Sequence, residues 1–168
     1  LEAVRAAAPR ARLIADANQG WTLDQLNARA PRMAELGVEL LEQPLPVGED
    51  EALAGYVGAV PLCADESFDD RDDLDLITGR YAFCNIKLDK CGGLTEAMAL
   101  IEAARARGLR LMVGCMEGTS LGIAPALLVA QGCEIVDLDC PMQLVRDIDG
   151  GFGYRDGWLR PNGPELWG

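Results

Sequence analysis

Short apolar runs alternate with longer helical patterns along the chain. "RLIADAN" reads as a strand, and "TLDQLNARAPRMAELG" follows it as a helix. Thr22 with Gln25 can form a capping box there, Gly37 is a natural stop, and Pro31 falls inside the pattern and weakens its continuity. "VELLEQP" is the next strand, followed by a short helix over residues 49–57. "PLCADES" is the third strand, and Ser67 and Asp70 can cap a helix over residues 69–79. "FCNIKLDKCGG" contains the fourth strand, Thr95–Arg107 is an alanine-rich helix ending at Gly108, and "LRLMVGCM" is the fifth strand. A helix over residues 120–131 and a sixth strand, "EIVDLD", complete the series. From Gly150 onwards the glycine-rich tail has no clear period.

Strands that are apolar almost throughout, each followed by a helix, are the pattern of a parallel sheet covered by helices. The charges fall at particular places in it. Asp16, Glu42, Asp65, Lys87 and Asp139 each sit at the C-terminal end of a strand, and the first three gaps are 26, 23 and 22 residues. Each gap is one βα unit, so parallel strands would bring these side chains together in a ring, as at the active rim of a β/α barrel. A doubly wound sheet is the alternative, but no GxGxxG follows the first strand, and "CGGLTE" is too weak a substitute. The expected fold is therefore α/β, a partial TIM-like (β/α) barrel of about six units. Residues 1–149 would form the incomplete barrel, and residues 150–168 a tail packing on it or extending from it. Six units do not close an eight-stranded barrel, so two strands are expected to lie outside a chain that is a piece of something longer.

Composition narrows the partners. The 168 residues are 49% hydrophobic, enough for one substantial core and too apolar for disorder. A net charge of −12 without any histidine argues against a nucleic-acid phosphate surface. No apolar run reaches the roughly 18 residues of a membrane span, and "LEAVRAAAPR" contains no secretory core. Cys63, Cys84, Cys115 and Cys133 lie in or beside apolar runs, as buried thiols of a reducing, cytoplasmic setting would. There is no CxxC pair to suggest thiolate zinc.

Three carboxylates on neighbouring strand ends repel one another unless a cation lies between them. Oxygen ligands suit Mg²⁺, with Mn²⁺ as a near substitute. Asp16, Glu42 and Asp65 are the candidate ligands; taken singly, each could equally cap a helix or face water. Lys87 would face the same cavity, where a nearby cation would lower its pKa toward a general base's range. A metal beside a lysine suits removal of a proton next to a carboxylate; the plain alternative is a lysine reaching out to solvent. Lys90, at odd spacing from Lys87, would point to the other face if the strand continued, and is expected to be a supporting or surface charge.

The stretches "ADANQGW", "LEQPL", "ADES", "NIKLDKCGG", "GCMEGTSLG" and "DLDCP" give the chain a resemblance to the barrel domain of the enolase superfamily. Within it the chain is most similar to the muconate-lactonizing subgroup and its dipeptide epimerases of the L-Ala-D/L-Glu type. The resemblance implies barrel strands 3–8, with Mg²⁺ on Asp16, Glu42 and Asp65, and Lys87 as acid/base on one face of the substrate's α-carbon. Glu66 would be its ion-pair neighbour, with Asn18 also behind the site. Asp137 and Asp139 would hold the α-ammonium of a dipeptide, consistent with charge-assisted hydrogen bonding at strand ends of shared parity. Cys115, Met116 and Glu117 would line the mouth. The implied reaction is epimerisation at the carbon α to the carboxylate, through an ene-diolate. It also implies a second lysine, in a KxK motif, and an N-terminal α+β capping domain, both expected before Leu1. Rival activities on the same scaffold are racemisation of N-acyl amino acids, o-succinylbenzoate synthesis and cycloisomerisation. A non-catalytic fragment or a partner-dependent subunit is the other class of answer, and homo-oligomerisation stays open.

Overall fold

A computed structural model describes residues 1–161 together with Gly163 and Leu166. Six strands form a single parallel sheet in sequence order: β1 (Leu13–Asp16), β2 (Val38–Glu42), β3 (Leu62–Ala64), β4 (Phe83–Ile86), β5 (Arg110–Val113) and β6 (Ile135–Val136). β1 and β6 are the two edges, so the sheet is an open partial barrel.

The helices are α1 (Glu2–Ala7), α2 (Leu23–Glu35), α3 (Leu74–Ile77), α4 (Leu88–Cys91), α5 (Leu94–Ala106), α6 (Ser120–Ile123), α7 (Ala126–Ala130) and α8 (Cys140–Gln143). α2 begins with the expected capping box: Thr22 Oγ1 accepts from Gln25 N at 3.3 Å, and Gln25 Oε1 accepts from Thr22 N at 3.0 Å. The helix runs through Pro31, opposite the exposed Asn27, where water can take the freed carbonyl bond.

Other elements are shorter than the sequence pattern suggests. The segment 49–57 contains only a 3₁₀ turn, Asp50–Leu53, and 69–79 contains a 3₁₀ turn, Arg71–Asp73, running into α3. Asp70 caps that turn, accepting from Asp72 N at 2.8 Å, whereas Ser67 faces inward to Gln43. The stretch 120–131 divides into α6 and α7 at Pro125, which has no N–H to donate to the preceding turn. In the tail, β7 (Gly153–Arg155) and β8 (Trp158–Arg160) form an antiparallel hairpin. Its two-residue turn, Asp156–Gly157, has positive φ at both positions (54° and 79°), the left-handed geometry that suits strand twist.

The two sheet faces bury different side chains because strand residues alternate. On the convex face Leu41, Leu62, Cys84, Ile86, Leu111 and Val113 pack under Leu26, Met33, Ile77, Leu100 and Ile101 of the helices. On the concave face Leu40, Cys63, Phe83, Met112 and Ile135 make a second cluster, forming the floor of the barrel. The register Leu40, Glu42↔Cys63, Cys63↔Phe83 and Asn85↔Met112 keeps this layer in line. Phe83 is 2% exposed, with the Arg110 guanidinium 4.1 Å from its ring centre. Phe83→Ala is expected to cost about 3–5 kcal/mol in urea unfolding, the price of a cavity in that floor. A loss under about 1 kcal/mol would show that the concave layer collapses around the gap.

Candidate active site

One pleat above the apolar floor, the same alternation turns polar groups inward. Glu42 follows Leu40 by two residues, Asp65 follows Cys63, Asn85 follows Phe83, and Asp137 follows Ile135. Lys87 is one further step along β4, and Asp16 pairs in register with Glu42. A cavity of about 90 Å³ opens at these strand ends, lined among others by Asp16, Glu42, Asn85, Lys87, Asp137 and Asp139. β5 contributes open space rather than a side chain. A Cβ on Gly114 would lie 2.8 Å from the Asn85 amide and 3.1 Å from Lys87 Cε, so glycine is needed for both to cross that strand.

Asp65 is the hub. It is 3% exposed and its carboxylate accepts from Lys87 Nζ at 2.6 Å and from Lys90 Nζ at 2.8 Å. Burial alone would raise its pKa, but the two ammonium groups, Lys90 first, bring it below the usual carboxylate range. The opposite balance holds at Lys87, where desolvation works downward and is outweighed by Asp65, so its pKa is raised. Lys87 is therefore charged in this arrangement, the reverse of the fall expected beside a cation.

Lys90, expected as a supporting or surface charge, takes the supporting position, without the opposite-face orientation that a continuing strand would have given it. The strand ends at Ile86 and α4 starts at Leu88, so strand parity stops before Lys90. The helical turn brings its ammonium back, donating to the carbonyls of Asp65 and Phe68 at 2.6 Å each. Glu66, expected beside Lys87, acts on it only as a more distant charge, and the ion pair is with Asp65 instead. Asn18, with φ 45°, donates its backbone N–H to Asp16 Oδ1 at 2.7 Å.

Glu42 is a 6%-exposed carboxyl that accepts from Asn85 Nδ2 at 2.7 Å. Burial, with Asp65 and Asp16 adding repulsion, pushes its pKa up to about 8 against the relief given by Asn85. Asn85 Oδ1 and Glu66 Oε2 are buried acceptor oxygens without a hydrogen-bond partner among the described residues. A surplus of oxygen acceptors and one carboxyl that cannot readily ionise are what a hard divalent cation would satisfy, so the donor set of Asp16, Glu42 and Asp65 fits Mg²⁺. In this conformation the three are not gathered to within 4.8 Å of one another, with Asp65 turned to the lysines and Asp16 held by Asn18.

On the far side of the cavity, partial burial and then the neighbouring Asp139 charge raise the Asp137 pKa. β6 ends at Val136, but Asp137 N still donates to Val113 O at 2.9 Å and carries the strand direction onward. Cys115 reaches the cavity, whereas Met116 and Glu117 lie in the exposed loop after β5.

Two residues that the sequence pattern did not single out support the ring. One is Asn85, described above. Gln43 is fully buried with φ 28°; its Oε1 accepts from Asp65 N at 2.9 Å and its Nε2 donates to Ser67 Oγ at 2.9 Å. It thereby holds the turn after β3 that aims Asp65. The available signal was a second polar residue directly after Glu42, where the apolar strand ends.

An open parallel half-barrel with acids and lysines gathered at its strand ends defines a class of barrel-rim site domain. The family is settled by comparison: a family model described as "Enolase C-terminal domain-like" matches residues 1–164, and the chain belongs to that family. An N-acetyl-D-glutamate racemase from Pseudoalteromonas sp. is 45% identical over 168 residues, all of this chain and 53% of that protein. The L-Ala-D/L-Glu epimerase of Escherichia coli K12 is 47% identical over 94% of this chain and 49% of its own length. Among solved structures, an Agrobacterium tumefaciens enolase family member with homology to dipeptide epimerases, with bound sodium and L-Ala-L-Glu, superposes with a TM-score of 0.95. It is 51% identical, over 99% of this chain and 51% of that one. The dipeptide epimerase of Methylococcus capsulatus, complexed with Mg and L-Arg-D-Lys, has a TM-score of 0.83 at 36% identity, over 95% of this chain and 48% of that one. The chain thus spans about half the length of the relatives it matches. Among the described residues no helix is long and apolar enough to cross a membrane.

Proposed function

We propose that this chain supplies the metal site, one base and the ammonium clamp of a dipeptide epimerase acting at the carbon α to the substrate carboxylate. The observation that carries the reading is the single cavity into which Asp16, Glu42, Lys87, Asp137 and Asp139 all open. Kinship with proteins named as dipeptide epimerases, one complexed with Mg and a dipeptide, supports it.

Asp16, Glu42 and Asp65 would hold Mg²⁺, which when bound neutralises negative charge developing at the substrate carboxylate. Lys87 Nζ takes or returns the α-proton on one face. In the structure Asp65 keeps that nitrogen protonated through their 2.6 Å contact, so proton abstraction requires the pair to separate. Lys90, bonded to the Asp65 and Phe68 carbonyls, keeps the Asp65 backbone in place while its carboxylate turns. Asp137 and Asp139 receive the substrate's ammonium, which relieves their mutual repulsion. A base on the opposite face must come from outside these residues, because inverting a stereocentre needs proton transfer on both faces. Cysteines set in or beside apolar runs, as Cys63 and Cys84 are, fit a reducing compartment such as the cytoplasm.

The test is exchange of the α-hydrogen in D₂O, followed by NMR across a dipeptide library, with the full-length gene product. Exchange confined to N-acyl amino acids would overturn the dipeptide assignment. That second reading is favoured by the Pseudoalteromonas racemase, whose similarity extends over the whole chain.

Metal uptake gives a further prediction. With its pKa near 8, Glu42 is mostly protonated at pH 7, so Mg²⁺ binding should expel close to one proton. Calorimetry in buffers of different ionisation enthalpy measures that release, which should fade above about pH 9. Buffer-independent heats at pH 7 would refute it. The stability sign follows from the same shift. A folded-state pKa above the unfolded 4.5 contributes stability below that value and loses it as pH rises through about 8, so the metal-free protein should weaken across that window.

A further inference from the structure

We propose that Cys115, Asp139 and Cys140 form a second cation site, for a thiophilic divalent ion such as Zn²⁺ or Cd²⁺, at the lip of the same cavity. Cys115 follows β5, and Cys140 is the first residue of α8, so the two thiols come from the loops above adjacent strands. Their sulfurs are 2.7 Å apart. One ligand atom from each of the three residues lies within 4.8 Å of the other two, the one such group of metal-binding side chains among the described residues. All three line the cavity, so an ion can enter from the mouth.

The donors differ in kind from the carboxylates across the cavity. Two sulfurs and one carboxylate oxygen select a soft or borderline ion, whereas Asp16, Glu42 and Asp65 select a hard one. Three protein ligands with a fourth position open to solvent are the arrangement of exchangeable zinc sites. Around the ligands, Gln143 Nε2 donates to Asp139 Oδ1 at 3.3 Å, and Tyr154 OH donates to Leu138 O at 2.8 Å, steadying the segment that carries Asp139 and Cys140. Two thiolates on one zinc stand about 3.7 Å apart, so loading opens the pair by about 1 Å. Both residues lie outside the strands, where side-chain rotation can supply that movement.

On binding, each thiol forms a bond to the ion and gives its proton to solvent. No electron is transferred. The burial of Cys115 and its pairing with Cys140 raise its pKa to about 12, so uptake must compete with protons and should tighten as pH rises. The bound ion takes the Asp139 carboxylate away from the ammonium clamp. A thiophilic ion should therefore compete with the dipeptide, a consequence that rests on the epimerase reading, although the binding does not.

The test is titration of the reduced full-length protein with Cd²⁺ in excess Mg²⁺, reading the ultraviolet thiolate-to-cadmium charge-transfer band. The band should saturate near one equivalent, vanish in Cys115→Ser and in Cys140→Ser, and persist in Cys133→Ser. Asp139→Asn should keep the band but weaken the affinity. ¹¹³Cd NMR of the unsubstituted protein reports two sulfur ligands independently of whether any variant folds. Absence of the band, its survival in both single variants, or a cadmium shift showing fewer than two sulfurs overturns the proposal. So does recovery of the pair as a disulfide that takes up no cadmium after reduction. Cd²⁺ binding without competition against dipeptide upholds the site and counts instead against Asp139 as part of the clamp.

Discussion

Lys87→Ala is expected to lower α-hydrogen exchange by about 10²–10⁴-fold, the usual contribution of a positioned general base, while KM moves little. Alanine also strips Asp65 of one of its two ammonium partners, so lost activity alone would not separate chemistry from structure. Lys87→Arg separates them. A guanidinium can still pair with Asp65, but it does not deprotonate at any working pH. The arginine variant should therefore melt close to the unsubstituted protein and be as defective in exchange as the alanine variant. A second readout is stereochemical. If Lys87 acts on one face of the α-carbon, as proposed, both variants should lose exchange of one configuration, while the other configuration still exchanges from the opposite face but is not inverted. Substantial exchange of both configurations in Lys87→Arg would remove Lys87 from the reaction.

The positions behind this prediction were legible because of how a parallel sheet is built. Strands covered on both faces must be apolar on both, so their ends show as abrupt changes to charge, at Asp16, Glu42 and Lys87. Spacing of one βα unit then places those ends side by side. Strand parity does not extend beyond the strand. The two-residue alternation ceases where α4 begins, so the supporting role of Lys90 was legible but its direction was not, and the helical turn brings it onto Asp65. Hydrophobic pattern also could not weigh the two prolines. Pro31 is absorbed by a long helix, while Pro125 divides a shorter, weaker pattern into two pieces. The hairpin did leave a signal, since Asp156–Gly157 is a turn dipeptide between Tyr154 and Trp158, but strands this short show no period. Gln43 and Asn85 were hidden for a different reason. Their importance lies in hydrogen bonds to residues 22 and 43 positions away, which no local pattern records.

Asp137 and Asp139 decide between the two substrate classes, and substituting them should affect the two in opposite ways. A dipeptide carries a free ammonium on its first α-carbon; an N-acyl amino acid shares the amide but has only uncharged acyl carbon where that ammonium would be. Asp137 and Asp139 are exposed at the cavity lip, so losing one charge-assisted hydrogen bond should cost about 1.5–3 kcal/mol, and Asp137→Asn or Asp139→Asn should lower kcat/KM for a dipeptide by about 10- to 160-fold. The loss should fall mainly on KM if the clamp holds ground and transition states alike. For an N-acyl substrate the same change removes an unpaired charge from the cavity and should be neutral or favourable. The pH dependence has a matching sign. Partial burial and Asp139 raise the Asp137 pKa above its ordinary 3.8, so acidification protonates the clamp sooner than it would a free aspartate. Dipeptide KM should therefore rise as pH falls toward that range, and in Asp137→Asn this component of the rise should disappear. Equal losses for both substrate classes, or an unchanged dipeptide KM in both asparagine variants, would show that the two carboxylates do not grip an ammonium and would leave racemisation of an N-acyl amino acid as the better reading.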